Sequence, residues 1–209
     1  DACPGRKQKA PAKNDLKSFC YRMKNASPLG KDKLELGCGR RPTPGYLHQD
    51  ITTQPGVDLD FHCEIWEIPL EENSLAEIIA VGLVEHLRFR EVTRALKRVH
   101  ALLKPEGVFL FDIPDIQAWS EYLYWITHGM PERSPFTKEH VFATFWGWQR
   151  WRGDEHKCAW LKDDLVRHLR EIGFREVIFE TAQMFISRGI SRDRFKDPAN
   201  AHLYVKAVK

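Results

Sequence analysis

The sequence predicts an α/β domain on a mostly parallel sheet, and three observations carry that expectation. Short apolar runs of strand length recur over residues 33–37, 46–51, 57–63, 77–82 and 108–113. Between the last two, Phe89, Val92, Leu96, Val99 and Leu103 recur at helical spacing, so a helix crosses from one strand to the next. The chain closes on "REVIFETA" and "AHLYVKAVK", whose alternation of apolar and polar residues reads as an antiparallel pair. Strand, crossover and strand in succession give a parallel sheet with helices packed on it.

Composition bounds the classes of function. At 209 residues the chain is one domain, or one domain carrying an insertion, and 43% hydrophobic residues suffice for a sizeable core. A net charge of +3, with no sustained Lys/Arg face, argues against a protein built to hold a nucleic-acid backbone. Cys3, Cys20, Cys38, Cys63 and Cys158 are odd in number, widely spaced and free of any CxxC. That argues against a disulfide framework or a zinc site, so no metal is expected and a reducing cytoplasm is the expected compartment. No apolar run reaches ~18 residues, so no transmembrane helix is expected, and no signal peptide is visible.

The elements come in order along the chain. Residues 1–30 read as a short basic arm and one amphipathic helix over 15–24, and 31–209 as the main domain. The first strand ends in Gly37-Cys38-Gly39, where the lack of side chains lets backbone approach a ligand. A dinucleotide fingerprint would need a third glycine at position 42, and this chain has Pro42. From Gly39 to Tyr46 there is no room for a crossover helix of ~10 residues, and Pro42 and Pro44 would break one. The next strand ends in Asp50, placed either as a turn residue or to accept from both hydroxyls of a ribose. Pro105 and Gly107 stop the helix in a type I turn. Residues 115–160 hold six of the seven tryptophans (Trp119, Trp125, Trp146, Trp148, Trp151 and Trp160), a density that marks an insertion capping the sheet. A last helix lies within 158–174, with Gly173 at its C-terminal end.

The stretches "LELGCGRRPTPGYLHQD", "CEIWEIPLEENSLAEIIAVGLVEHL" and "ALLKPEGVFLFDIPD" resemble, in order and spacing, the class I S-adenosylmethionine-dependent methyltransferases. The subgroup carries a pattern like LGCG…PGY…D…LP…LEH…LLKPGG, and the match spans about residues 33–115. The resemblance implies a Rossmann-like sheet of seven strands, the last antiparallel, flanked by helices. It implies S-adenosyl-L-methionine as cofactor, held by the turn of Glu35, Gly37, Cys38 and Gly39. Asp50 and Ile51 would lie at the ribose, Glu64 and Ile65 at the adenine, and Val81 and Gly82 along the methionine. Two positions depart from the pattern: Glu106 stands where a second glycine is usual, and Glu64 replaces the commoner aspartate. A sulfonium cofactor has no phosphate for a helix start to neutralise, which suits the missing helix.

Methyl transfer is a direct displacement at carbon, so the protein aligns the partners and strips water from the nucleophile. A hydroxyl acceptor also needs its proton removed. His156 in "GDEHK" is the preferred base, with His140, Asp115 and His86 as further catalytic candidates. Against each stands a plainer role: a loop histidine, a helix cap, a helix-start residue. The tryptophans form either a lid over an apolar or sugar-like acceptor or a secondary core. "SRGISRDRFKD" reads as a solvated basic connection. The leading function is methylation of O or N on a small-molecule or glycan acceptor, with no membrane partner expected. Nucleic acid or protein methylation, and cofactor binding without turnover, are the alternatives. The segment after the fourth strand, "AVGLVEH", lacks the Asn- or Asp-Pro-Pro-aromatic run of amino-methylating nucleic-acid enzymes.

Overall fold

The computed structural model describes residues 30–151, 153–197 and 199–209. The expected arm and the helix over 15–24 lie outside the described residues. Seven strands form one sheet: β1 (Lys33–Leu36), β2 (Leu47–Asp50), β3 (Phe61–His62), β4 (Leu75–Val81), β5 (Leu103–Pro114), β6 (Glu176–Glu180) and β7 (His202–Val208). Their order is β3-β2-β1-β4-β5-β7-β6. The β1 to β5 neighbours pair in parallel, whereas β7 runs antiparallel to both β5 and β6. This is the Rossmann-like sheet expected from the sequence. Because strand order reverses between β1 and β4, their carboxyl ends open the crevice in which such sheets bind ligands.

The expected helix is α1 (Phe89–Leu102), with the Glu91 carboxylate accepting the backbone N–H of Arg88 at 2.9 Å to start it. Its buried Val92, Leu96 and Val99 face Leu34, Leu36, Ile78, Phe109 and Phe111 on one side of the sheet. Each such side chain contributes roughly 1.5–3 kcal/mol through burial. The insertion supplies α2 (Ile116–Thr127) and α3 (Lys138–Trp146); α4 (Lys162–Ile172) then packs Leu165 and Leu169 into the same core. On the other side Tyr46, Ile79 and Leu110 meet Phe185, from the short α5 (Gln183–Ile186), and Ile190. Among the described residues no helix joins β1 to β2 or β2 to β3, as the prolines and the short spacing require.

Two strand carboxylates are buried in this second face, and they organise the segment between α5 and β7. Glu77 accepts from Arg188 Nε at 2.8 Å and from the Tyr46 hydroxyl. Asp112, fully buried, accepts from Arg194 Nε at 3.0 Å and Nη2 at 2.7 Å, with His202 Nδ1 3.3 Å away. The segment expected to be a solvated basic connection keeps much of its backbone at the surface, with Ser187, Asp193 and Lys196 exposed, but turns Arg188 and Arg194 inward. Two of its arginines neutralise carboxylates that the strands bury, and removing one partner of such a pair costs about 3–5 kcal/mol.

The turn after α1 shows what the departure from the pattern at Glu106 entails. Residue 106 has φ 63°, in the left-handed region, and its carboxylate grips Arg175 instead. The glycine usual in the family would adopt this backbone without strain. Glu106→Gly is therefore expected to stabilise the fold, relief of the left-handed backbone strain outweighing an exposed ion pair. A urea midpoint that rises with unchanged slope checks this; a lower midpoint contradicts it.

Candidate functional site

The glycine turn is built by carboxylates and by one amide. Gly37 and Gly39 take φ 61° and 58°, and a Cβ on Gly37 would stand 2.8 Å from Leu83 Cδ1. Gly39 N–H donates to Asp50 Oδ2 at 2.9 Å, and Gly37 N–H to Gln49 Oε1 at 3.3 Å. The following loop folds back because Glu35, 1% exposed, accepts from Thr43 N at 2.6 Å and Thr43 Oγ1 at 2.9 Å. Burial pushes the Glu35 carboxyl above its usual range, against the pull of Thr43 and His48. Glu35 thus shapes the turn from beneath. Cys38 is buried and its thiol is pushed up to about 12, by burial first and by Asp50 and Glu35 next. It is an inert packing residue.

The remaining cofactor candidates spread along the same edge. Asp50 accepts from Thr52 N at 2.8 Å and Thr52 Oγ1 at 2.9 Å besides Gly39, which uses three of its roughly four acceptor positions. Ile51 is 59% exposed and offers an open apolar face beside it. Glu64, half-buried, precedes a single helical turn (Ile65–Glu67); burial and the nearby Glu67 and Glu91 raise its carboxyl. The Ile65 side chain turns into the core, so only its backbone is left to face the crevice. Val81 packs on the second face. Gly82 donates to Asp112 Oδ1 at 2.8 Å, and a Cβ there would stand 3.0 Å from Arg194 Nη2. The Arg194 guanidinium therefore lies over Gly82.

Of the four catalytic candidates, the structure brings two together. The insertion's return leg docks on Glu85, whose carbonyl accepts from Lys157 N at 2.7 Å and Cys158 N at 3.2 Å. A tight loop makes that return possible: at Gly147 a Cβ would stand 1.9 Å from the Asp154 carbonyl oxygen, so no other residue fits. The rings of His86 and His156 then meet edge to face, centroids 4.9 Å apart. His86 Nδ1 lies 3.1 Å from the Glu155 carbonyl and His156 Nδ1 2.7 Å from that of Thr144. A carbonyl only accepts, so each Nδ1 carries the proton and each neutral ring keeps its lone pair on Nε2. Burial lowers both imidazoles below the ordinary 6.5.

The residue that sequence reasoning passed over is Glu85 itself. It is 5% exposed, and its Oε2 has no hydrogen-bond partner. Burial, then the charge of Asp112, raises its carboxyl. Glu85 and His156 line a small enclosed cavity with Thr144, Cys158 and Trp160. An acidic residue in the apolar run "VGLVEH" was the available signal.

Asp115 and His140 stand apart from this cluster. Asp115 caps α2, accepting from Gln117 N at 3.1 Å and Ala118 N at 3.3 Å. His140 stacks on Trp119 at 5.7 Å and packs on Phe136 and Trp148, and burial lowers its pKa. The tryptophans divide in the same way. Trp119 is fully buried and donates to the Ala201 carbonyl at 2.7 Å, a secondary core, whereas Trp146, Trp148 and Trp151 are exposed. Gln149, another polar residue of the insertion, is spent on the Trp146 carbonyl. Among the described residues no helix is long and apolar enough to cross a membrane.

Known proteins share this fold. A family model described as a methyltransferase domain matches residues 12–178. The human protein named arginine-hydroxylase NDUFAF5, mitochondrial, is 33% identical over 97 residues, a match covering 37% of this chain and 27% of that protein. The chain thus spans about a quarter of that relative's length. A SAM-dependent methyltransferase from Archaeoglobus fulgidus superposes with a TM-score of 0.51 at 14% identity, over 93% of this chain and 91% of its own. The 1,6-didemethyltoxoflavin-N1-methyltransferase of Burkholderia thailandensis, solved with 1,6-didemethyltoxoflavin and S-adenosylhomocysteine, gives 0.50 at 17% identity, over 85% and 70%. At such identities the likeness is one of fold.

With burial as the leading cause, the His86 and His156 rings are expected to titrate below 6.5. Proton NMR of the imidazole C–H signals, matched to residues by His86→Gln and His156→Gln, reads the midpoints. Values above 6.5 would mean that Glu85 outweighs burial.

Proposed function

The chain belongs to the methyltransferase-domain family, so its reaction is methyl transfer from S-adenosylmethionine, and on that premise we propose that the acceptor atom is an oxygen or nitrogen of a small molecule or glycan. The observation that carries this reading is the cluster of Glu85, His86 and His156 beside a small, largely apolar cavity at the carboxyl ends of β4 and β5.

The crevice residues suit the cofactor. A Cβ built on Gly39 meets nothing within 4 Å, so the turn leaves backbone approachable from outside. Asp50 keeps about one acceptor position for a ribose hydroxyl, and the exposed Ile51 side chain offers an apolar face to a purine. Glu64 and the Ile65 backbone would border the adenine, and Val81 with the Gly82 backbone the methionine side. When bound, S-adenosylmethionine supplies a methyl group activated by a positively charged sulfur.

The chain supplies the rest. The turn and Asp50 fix one partner, and the insertion closes over the other, which replaces random encounter by a set geometry. Trp160, Phe145 and Ile113 border the cavity and keep its surroundings apolar. His156, neutral because burial lowers it, can take a proton from an acceptor hydroxyl or ammonium through Nε2 while Nδ1 holds the Thr144 carbonyl. The exposed aromatic rim of Trp146, Trp148 and Trp151 suits a sugar or aromatic acceptor arriving from solvent.

Turnover of labelled S-adenosylmethionine against hydroxyl, amine and glycan acceptor pools tests the proposal. Transfer confined to a protein or nucleic-acid pool would sink it. Two variants separate the halves of the site. His156→Ala should lower turnover by roughly 10²–10⁴-fold with cofactor affinity nearly unchanged. Asp50→Ala should weaken S-adenosylhomocysteine binding about tenfold or more, one charge-assisted hydrogen bond being worth ~1.5–3 kcal/mol. Calorimetry with a folded Asp50→Ala chain that binds like the parent would place the ribose elsewhere.

A further inference from the structure

Among the described residues, Glu85, His86 and His156 bring one potential ligand atom each to within 4.8 Å of one another. We propose that these three side chains bind a divalent transition-metal ion of the zinc type, which no feature of the linear sequence suggested. The chemistry of the donors supports it. Two imidazole nitrogens and one carboxylate oxygen form a set that holds zinc while leaving a fourth position open. Two of the three side chains, Glu85 and His156, also line the cavity that Thr144, Cys158 and Trp160 border.

The surroundings of the three ligands are those a metal requires. Each imidazole hydrogen-bonds a backbone carbonyl through Nδ1, at 3.1 Å for His86 and 2.7 Å for His156, which fixes ring orientation and presents Nε2. Such partners behind ligating histidines are the usual means of holding them in place. The Glu85 carboxylate is 5% exposed with Oε2 lacking any hydrogen-bond partner, so a cation would satisfy a group the protein leaves unpaired. Arg194, a nearby cation, is already engaged by Asp112. Zinc ligands at about 2.0–2.1 Å in a tetrahedron lie ~3.4 Å apart. The present separations, up to 4.8 Å, would close toward that spacing on binding.

Zinc on His156 Nε2 would take the lone pair that otherwise accepts the acceptor's proton, so the metal-loaded chain is a state in which His156 is not the base. The inference stands on the three side chains and is measured without cofactor or acceptor, so its failure leaves the methyl-transfer reading intact. The probe is zinc chloride, added to the metal-stripped full chain and followed by calorimetry, with bound metal counted after dialysis. One zinc per chain is expected. Glu85→Gln, His86→Gln and His156→Gln should each weaken it by about 100-fold or more, since loss of a mere outer partner already costs ~10–100-fold. His140→Gln, in the separate aromatic stack, should keep full affinity and so reports adventitious histidine binding. Circular dichroism and the melting temperature show which variants fold. If Glu85→Gln does not, His156→Gln, on the loop before α4, carries the test. The proposal is overturned if the folded parent chain binds no zinc, if zinc survives all three substitutions, or if His140→Gln loses it equally.

Discussion

The carboxylate of Asp112 is the constraint on which the rest of the site depends. It sits fully buried on β5, where charge is costly. Burial alone would drive its proton back on; Arg194 and His202 more than offset this and hold the carboxyl well below its usual range. The same carboxylate accepts the Gly82 amide at the end of β4. One group therefore ties two parallel strands, the antiparallel β7 and the segment after α5 into one edge. Glu77 repeats the arrangement one strand over: burial raises it, and Arg188 and Tyr46 bring it below its usual range. Replacing either arginine leaves a buried charge unpaired, and the second face of the sheet would have to open to hydrate it.

The cofactor side obeys a different logic, because its partners are near in sequence. Glu35 reaches Thr43, and Gly39 reaches Asp50, within one strand-turn-strand unit. Two carboxylates take over the work that a helix would do in holding the turn. Asp50, the proposed ribose ligand, is already a supporting group: three of its interactions are internal.

That difference decides how much was legible beforehand. Strand alternation, the helical spacing of Val92, Leu96 and Val99 and the proline-broken turn are local signals, and the sheet followed them closely. β3 shrank to Phe61–His62, since residues 57–60 pack as a loop, and β5 extended back to Leu103, absorbing the turn. The arginines were misread because a basic loop looks solvated until its acids are located. The signal existed all the same. An acidic residue within "AEIIAV" or "FLFDIP" is costly to bury without a partner, and the basic segment holds candidates in Arg188 and Arg194. Asp115 and His140 were indistinguishable from His156 by type, and only the three-dimensional route of the insertion separates them.

The cluster of Glu85, His86 and His156, the proposed acceptor side, is in contrast assembled from distant pieces. His86 and Glu155 are linked across 69 positions, and Cys158 Sγ reaches the Val84 carbonyl at 3.2 Å across 74. What joins them is backbone rather than side-chain identity: Lys157 and Cys158 dock on the Glu85 carbonyl, and Gly147 permits the loop that turns them back. Such a construction separates duties physically. Side chains along residues 142–160 can change the shape and polarity of the cavity without disturbing the carboxylates that hold the glycine turn. Glu85 is the exception, because its carbonyl anchors the insertion while its carboxylate faces the cavity. A change of that carboxylate alters the chemistry of the cluster directly. A change of the backbone beneath it moves His156 and the cavity wall together. The position of Glu85, more than that of either histidine, couples the fold of the insertion to the chemistry at the sheet edge.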